Sequence, residues 1–598
     1  MSKNNYTGFN RLLQSQFIQA LADRLQDGTL GTFFDDWKWI FSYSRRYTKA
    51  IIFYTIMGIL SSTLTLGSSV VSKYMIDIIV GRQLDKIWLL AALMISTTVF
   101  GLVFSSLVSR ISARISIHVN NDIQADIFSR IVSADWMELH RYPSGDLLNR
   151  FNSDVSTVAG NAVSWLPNLI IGSYTFLSTF AVLLYYDITM ALIALLSAPF
   201  LLIASRYIMR KLRQHRQRVT EMNSRLMSFE VDTFYNLDTI KSFGVTDKYA
   251  QQLRSWQEKF KTCNLDYNLF SIKSHALTTM ISTAVSFLSF GYCLLRLWTN
   301  AISYGTMTLF LQQRSALSTQ FNNLVAIFPN MLNTSISAHR IREIVEIPRE
   351  TLNPEAAAAL QEQAAAGFTV RLDGVDFMYE DKSKVITNSY FVARPGEIVA
   401  LVGPSGEGKT TMIRLILGLV HPADGRVTLT GADGKTMDMT ADLRQFFSYV
   451  PQGNTMLAGT IAENMRLVKS DATDEEIIAA LKTACAWDFV KRLPDTINAP
   501  VGERGRGLSE GQAQRIAIAR AVLRDAPVLL MDEATSALDV ATERQVLKNI
   551  VRHHPNRTCI VTTHRPSVLS LCQRVYRVMH TQVRELTADE ASRMAMEF

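Results

Sequence analysis

Charge is scarce in this chain: Asp, Glu, Lys and Arg make up 19% of 598 residues. With a mean hydropathy of +0.10, that excludes a disordered polyelectrolyte and a collagen-like chain. Cysteine is scarce as well. Cys263, Cys293, Cys485, Cys559 and Cys572 stand far apart, with no CxxC pair, so neither a disulfide framework nor a zinc module is present. The start lacks an apolar h-region followed by a small-residue cleavage site, and does not read as a signal peptide. Acids are outnumbered, 53 to 61, for a net charge of +8. A basic balance points to nucleic acid or a membrane surface, and the placement of the charges decides between them. At about 100 to 200 residues per domain, the length predicts three to six domains.

The missing charges are missing in blocks. Ala50–Ser72, Ile87–Ser109, Val155–Tyr186, Ile188–Ser205 and Ala276–Leu295 contain none, and Leu297–Ala338 contains only Arg314. A bilayer core needs about 20 apolar helical residues. A buried soluble helix explains any one such run. Six in succession predict six membrane spans, all before residue 345. Basic residues cluster on alternate sides: Lys38, Arg45, Arg46 and Lys49 before the first span; Arg110, Arg114 and Arg130 after the second; Arg206, Arg210, Lys211, Arg213, Arg216 and Arg218 after the fourth; Arg340 and Arg342 after the sixth. The positive-inside rule then puts both termini in the cytoplasm. This topology accounts for most of the surplus positive charge and leaves nucleic-acid binding with little support.

The second-to-third and fourth-to-fifth connections are long and carry charges with recurring apolar positions over Ile111–Arg130 and Gln214–Lys241, a helical pattern. The spans are expected to run on as long cytoplasmic helices that turn at Tyr142–Gly145 and Asn236–Gly244. Phe9, Leu12, Leu13, Phe17, Ala20, Leu21 and Leu25 recur at helical spacing, and Phe33, Phe34, Trp37 and Trp39 suit a headgroup layer. Residues 1–45 are therefore read as an amphipathic interfacial segment and 46–345 as the transmembrane domain. Ala- and Gln-rich residues 346–367 read as a linker. Residues 368–598 turn to short β-branched runs and glycines, the texture of an α/β domain.

Gly403-Pro404-Ser405-Gly406-Glu407-Gly408-Lys409-Thr410 fits G-x-x-x-x-G-K-[ST] in full. Glu397–Val402 before it reads as a strand, and Thr411–Ile416 after it as the start of a helix. Glycines let backbone N–H groups wrap phosphate oxygens at the positive end of that helix. Lys409 should reach the β- and γ-phosphates, and Thr410 should ligate Mg²⁺. Val528–Met531 is an apolar strand ending in Asp532 and Glu533. Asp532 can hold Mg²⁺ and Glu533 can polarise an attacking water as general base. Ser509 and Gly511, in Leu508-Ser509-Glu510-Gly511-Gln512, open a further helix with a basic edge, a second anion site.

These motifs together resemble the ATP-binding cassette (ABC) transporters, exporter type, with membrane and nucleotide domains fused in one chain. The resemblance covers roughly residues 35 to 590. It implies a six-helix transmembrane bundle with long cytoplasmic extensions plus an α/β P-loop domain. It also implies that two cassettes face head to tail, each ATP lying between one P-loop, with Thr411 beside it, and the partner's Ser509, Gly511 and Gln512. Gln452 matches the Q-loop glutamine near Mg²⁺, Asp539 the D-loop across the dimer, and His564 the switch histidine at the γ-phosphate. Tyr379 matches the aromatic that stacks on adenine. Gly145–Phe151 with Ser153–Val155 is similar to the first intracellular loop, and Asn223–Gly244 to the second; short transverse helices at these turns dock on the cassettes in the family. The chain departs from the pattern at Glu510, where the family usually has Gly. The segment before residue 30 is too short, and carries no Cys, for the cysteine-peptidase domain of some peptide exporters, so leader cleavage is not expected.

The expected protein is an ATP hydrolase that exports a small molecule, peptide or amphiphile across a bacterial inner membrane by alternating access. ATP and Mg²⁺ are its cofactors, and a second copy its partner, with a heterodimer as the alternative. A lipid or oligosaccharide flippase shares every motif. An ATP-gated channel or regulator is the rival of another class, and the intact Glu533 and His564 argue against it. Arg314 falls about 16 Å beyond Ser303 at 1.5 Å per residue, near the midplane. A charge there costs about 2.5 to 3.5 kcal/mol. It is expected to face a substrate cavity with Met307, Phe310, Ser318 and Phe321 on its side of the helix, or else to pair with an acid such as Asp77.

Overall fold

A computed structural model describes residues 30–81, 86–379, 383–453, 455–502, 505–563 and 565–597. The helix expected over Phe9–Leu25 lies outside them. Packing divides the chain into two units, Met1–Ser129 with Ser144–Val345, and Arg130–Pro143 with Glu346–Phe598.

The first unit is helical. Its order, with one short helix that belongs to the second unit, is α1 (Leu30–Ser44), α2 (Thr48–Val80), α3 (Ile87–Ser133), α4 (Trp136–His140, in the second unit), α5 (Ser144–Asn149), a π-helical turn (Arg150–Asp154), α6 (Val155–Tyr186), α7 (Ile188–Tyr235), α8 (Leu237–Ser242), α9 (Thr246–Trp298) and α10 (Tyr304–Val345). The six long helices form the transmembrane bundle and its extensions. Helices α3 and α9 have 47 and 53 residues, about 70 and 80 Å at 1.5 Å per residue, more than twice the roughly 30 Å of a hydrocarbon core. Among the described residues, Gly31–Val80, Ile87–Ser133, Ser144–Tyr186 and Thr246–Trp298 are long and apolar enough to cross a membrane on their own. Helix α7 lies along α9, and α10 along α6 and α2, whereas α9 and α10 touch only sparingly.

Polar groups mark where these helices start. Asp187 breaks the helix between α6 and α7 and caps α7, its Oδ1 accepting the Met190 N–H at 3.0 Å; Arg296 at the end of α9 pairs with its other oxygen. Asp77 near the end of α2 accepts Ser303 Oγ at 2.9 Å and the Gly305 N–H at 2.7 Å, and pairs with Lys73 at 3.0 Å. It thereby caps α10 and does not reach Arg314, so the expected alternative of an Asp77–Arg314 pair does not hold. Met307 and Phe310, expected beside Arg314, are buried in the core with Leu183, Met190 and Cys293.

The second unit is α/β. After α11 (Pro354–Gln361), strands β1 (Thr369–Met378), β2 (Lys384–Ala393), β4 (Asp424–Thr430) and β5 (Thr436–Asp438) form an antiparallel sheet in the order β2-β1-β4-β5. A six-stranded sheet runs β12-β11-β3-β10-β9-β6. It is built from β3 (Ile398–Val402), β6 (Phe447–Val450), β9 (Val528–Asp532), β10 (Thr558–Thr562), β11 (Arg574–Met579) and β12 (Gln582–Glu585), parallel except for β12. Every residue of β3, β9 and β10 is buried, as a parallel sheet covered on both faces requires. Helices α12 (Lys409–Ile416) and, later, α13 (Ile461–Arg466), α14 (Asp474–Thr483), α15 (Glu510–Arg524) and α16 (Val540–His553) complete the layers, with β7 (Gly459–Thr460) and β8 (Pro500–Val501) as a short pair. Strands β3, β9 and β10 all end at one edge, where parallel α/β sheets take their ligands.

The stretch Gly145–Val155 does not form a transverse docking helix. It makes the return into the bundle, and its charges bind α10. Buried Arg150 donates from Nε to Asp146 at 2.8 Å and from Nη1 to Glu343 at 2.6 Å and to the Arg340 carbonyl at 2.5 Å. Arg340 in turn meets Asp146 at 2.6 Å and Asp154 at 3.1 Å. The π-turn sits inside this cluster. Arg150→Met should leave Asp146 and Glu343 without their shared cation. The expected loss is about 2 kcal/mol, less than for a fully buried pair because both acids reach solvent. Thermal unfolding of the purified variant measures it, and an unchanged midpoint would count against the cluster as a structural tie.

Candidate functional site

The P-loop leaves β3 at Val402 and enters α12 at Lys409. Gly408 is the turn residue, with φ +104, and a Cβ there would stand 2.8 Å from Val385 Cγ1, so only glycine fits. Pro404, Ser405 and Gly406 are exposed, while Gly403 is buried and Thr410 half-buried. Lys409 is 6% exposed, and its Nζ donates to the carbonyls of Gly403 at 2.8 Å and Pro404 at 3.0 Å. Burial pushes its ammonium below the ordinary value, against the pull of the Glu533, Asp532 and Glu407 carboxylates. Glu407 turns its carboxylate away to accept the His580 N–H at 2.8 Å, which leaves its backbone as the part that can meet a phosphate.

The acid pair sits on the neighbouring strand end. Asp532 is 1% exposed, and its Oδ1 accepts Thr562 Oγ1 at 2.7 Å. Its Oδ2 is buried without a hydrogen-bond partner among the described residues. Such an atom is costly unless something binds it, and with the Thr410 hydroxyl at the start of α12 the donor set is the hard-oxygen kind that suits Mg²⁺. Glu533 has φ +47, a strained value for a non-glycine residue. Its N–H donates to the same Thr562 hydroxyl at 2.8 Å, and its Oε2 accepts Gln452 Nε2 at 2.8 Å. Lys409, Asp532, Glu533 and Gln452 are thus brought together. Thr562 holds the pair from β10, two residues before His564, a role the sequence did not assign to it. His564 lies outside the described residues.

Ser509 and Gly511 stand elsewhere in the cassette. Ser509 caps α15 through a reciprocal capping box with Gln512, so the Gln512 side chain starts the helix. Glu510 is exposed in the first turn, where a carboxylate favours the helix dipole; the departure from Gly costs the helix nothing. A Cβ on Gly511 would lie 2.8 Å from the Ala537 carbonyl. Buried Gln514 donates to Ser536 Oγ and accepts the Ala537 N–H, both at 3.0 Å, another residue the sequence did not single out. Asp539 caps α16, accepting the Thr542 N–H at 3.0 Å. Neither Ser509 nor Gly511 hydrogen-bonds a P-loop residue.

Tyr379 follows β1, half-buried, with Phe377 edge-on at 4.9 Å. Its hydroxyl lies 3.2 Å from Thr411 Oγ1 and accepts Arg414 Nη1 at 3.0 Å. The Arg414 guanidinium also lies over the Trp136 ring, 4.9 Å from its centroid. Trp136 opens α4, the transverse helix expected further along at Gly145–Phe151. Asp135 caps α4 with Oδ1 and meets His421 Nε2 at 2.9 Å with Oδ2.

The ABC transporter transmembrane region family matches residues 51–321 and the ABC transporter family residues 386–536. An ATP-dependent lipid A-core flippase of Xylella fastidiosa is 31% identical over 72% of this chain and 73% of that protein. The chain belongs to the ABC transporter family. A putative multidrug export ATP-binding/permease protein of Bacillus subtilis is 27% identical over 92% of this chain and 95% of its own length. A bacterial Atm1-family ABC exporter with ATP bound shares the fold, with a TM-score of 0.74, 20% identity and coverage of 93% and 98%. This ABC exporter therefore couples ATP hydrolysis to transport. Tyr379→Ala should weaken ATP affinity by about 1 kcal/mol, the scale of an aromatic stack, while Tyr379→Trp keeps it. Nucleotide titration of purified protein checks this; equal affinity in wild type and the Ala variant would move the adenine site.

Proposed function

We propose that this ABC exporter works as a homodimer in a bacterial inner membrane, both termini cytoplasmic, and carries an amphiphile or other small compound outward. The observation that carries the hydrolytic part is the Thr562-centred arrangement of Asp532 and Glu533 beside Lys409 and Gln452. The P-loop N–H groups and Lys409 bind the phosphates. Thr410 and Asp532, with Gln452 nearby, would hold Mg²⁺, which would neutralise charge on the phosphate oxygens. Glu533 takes the role of general base toward water, its carboxylate oriented by Gln452. The partner's cassette supplies Ser509, Gly511 and the D-loop Asp539 across the interface, and His564 the γ-phosphate contact; both roles rest on the family resemblance. ATP then favours the closed pair because only that state offers both sets of contacts.

A homodimer also gives α8 a place to go. Phe234, Tyr235 and Phe243 around it are 74%, 79% and 77% exposed. The cassette has a groove of about 280 Å³ lined by Leu417, Leu419, Arg444, Tyr449, Arg520 and Arg524. Aromatic side chains against arginines are a favourable match, and the occupant proposed is α8 of the second copy.

The test is ATP-dependent accumulation of a transported dye in inverted vesicles of the reconstituted protein, beside Glu533→Gln. The variant should bind ATP normally and hydrolyse it about 10² to 10⁴ times more slowly, the range for a positioned base, with accumulation lost. Near-normal turnover would remove Glu533 from the base role. Intact hydrolysis in wild type, with no accumulation of any compound, would favour the regulator reading.

A further inference from the structure

Arg314 is the one charge within the sixth span, and an ionisable residue at that depth points to function. Its Nη2 donates to Ser286 Oγ on α9 at 2.6 Å, and its Nε is buried without a hydrogen-bond partner among the described residues. No carboxylate among them pairs with it. Asp187 is engaged by Arg296, and Asp77 by Lys73, Ser303 and the α10 backbone. The guanidinium reaches α9 through Ser286, and Ser286 in turn lines a cavity of about 650 Å³. One stripe of α9 lines it: His275, Thr279, Thr283, Ser286, Phe287 and Phe290. Leu311, one turn before Arg314, closes the other side. The wall thus has an apolar aromatic end and a row of hydroxyls, and one of these, Ser286, accepts from the Arg314 guanidinium beside it. The aromatics come from α9, not from Phe310 on Arg314's own helix.

We propose that this cavity binds an amphiphile bearing a single anionic head, a carboxylate or phosphate, with Arg314 as its counter-ion and Phe287 and Phe290 against its tail. The proposal rests on the export reading above and adds the substrate's chemistry. In a low-dielectric site an anion with one apolar tail supplies the charge that Arg314 lacks, and the hydroxyls of Thr279 and Thr283 can donate to its remaining oxygens. A neutral amphiphile of the same shape leaves the guanidinium unpaired and binds more weakly. A cationic one is repelled.

The experiment is a fluorescence titration of the full-length protein in phosphatidylcholine nanodiscs, with dansyl-undecanoate against its methyl ester. The acid should bind about ten to a hundred times more tightly, the range for a hydrogen bond to a charged group. Arg314→Gln should lose that preference while binding the ester as wild type does, and Arg314→Lys should keep most of it. Two sources of the anion are then separated by competition. Displacement of the probe by phosphatidylglycerol in the disc assigns the head to a membrane lipid, and displacement by soluble lauroyl-glycine alone assigns it to a free amphiphile. Equal affinity for acid and ester in wild type overturns the proposal, as does an Arg314→Gln protein that retains the preference. These readings need no ATP turnover, so a wild-type protein that exports other compounds but ignores head charge overturns this inference alone. A protein without hydrolysis or transport overturns the export reading instead.

Discussion

A peptide group left unpaired in hydrocarbon costs several kcal/mol, so a chain crosses a bilayer as helix or closed barrel, and one built of long charge-free runs does so as helix. That constraint shapes the membrane unit. Several helices are far longer than the hydrocarbon is thick, and helix ends, where backbone groups lose their intrahelical partners, collect polar side chains. Asp187 caps α7 and Asp77 caps α10, each with a cation beside it. Arg314 departs from this economy, since it lies inside a span and its neighbours leave its charge unmatched.

Helices that overrun the bilayer can also carry a docking element to the cassette. At the far end of α3 the chain turns through α4, and Arg130–Pro143 packs as part of the cassette unit. There the Arg414 guanidinium is shared between the Trp136 ring and the Tyr379 hydroxyl. A base stacked on Tyr379 and a shift of α4 would both act on the same side chain of the P-loop helix. Differential contact of this kind is what lets ligand occupancy bias a conformational equilibrium. On the bundle side, Arg150 and Arg340 tie the returning chain to α10, so motion at this turn and motion of the sixth span are mechanically joined.

In the cassette, sheet topology does the positioning. Adjacent parallel strands β3, β10 and β9 end level with one another, which sets the P-loop, Thr562 and the acid pair side by side. One hydroxyl on the middle strand then serves both acids, donating to Asp532 and accepting from the Glu533 backbone. The left-handed backbone at Glu533 is held by that bond, and its carboxylate by Gln452.

The amino-acid sequence by itself determined what depends on local spacing and composition. Charge-free runs announce spans because burial in lipid needs an uninterrupted apolar helix. The P-loop, the strand ending in Asp532 and Glu533, and the Ser509 helix start are legible because each is one short stretch whose chemistry lies in its own backbone. Tertiary structure decided the partners. The sequence assigned no role to Thr562, Gln514, Arg414 or Trp136, and each acts on a residue far away in the chain. The likeness to the first intracellular loop rested on Gly145–Phe151, and only packing against His421 and Arg414 shows the transverse helix at Trp136–His140. The sequence offered Asp77 as a counter-ion for Arg314, and Asp187 shares its place at a span end. Helix packing assigned them elsewhere, because a carboxylate goes to the cation and the unpaired N–H groups that three-dimensional proximity offers, and sequence distance does not encode proximity.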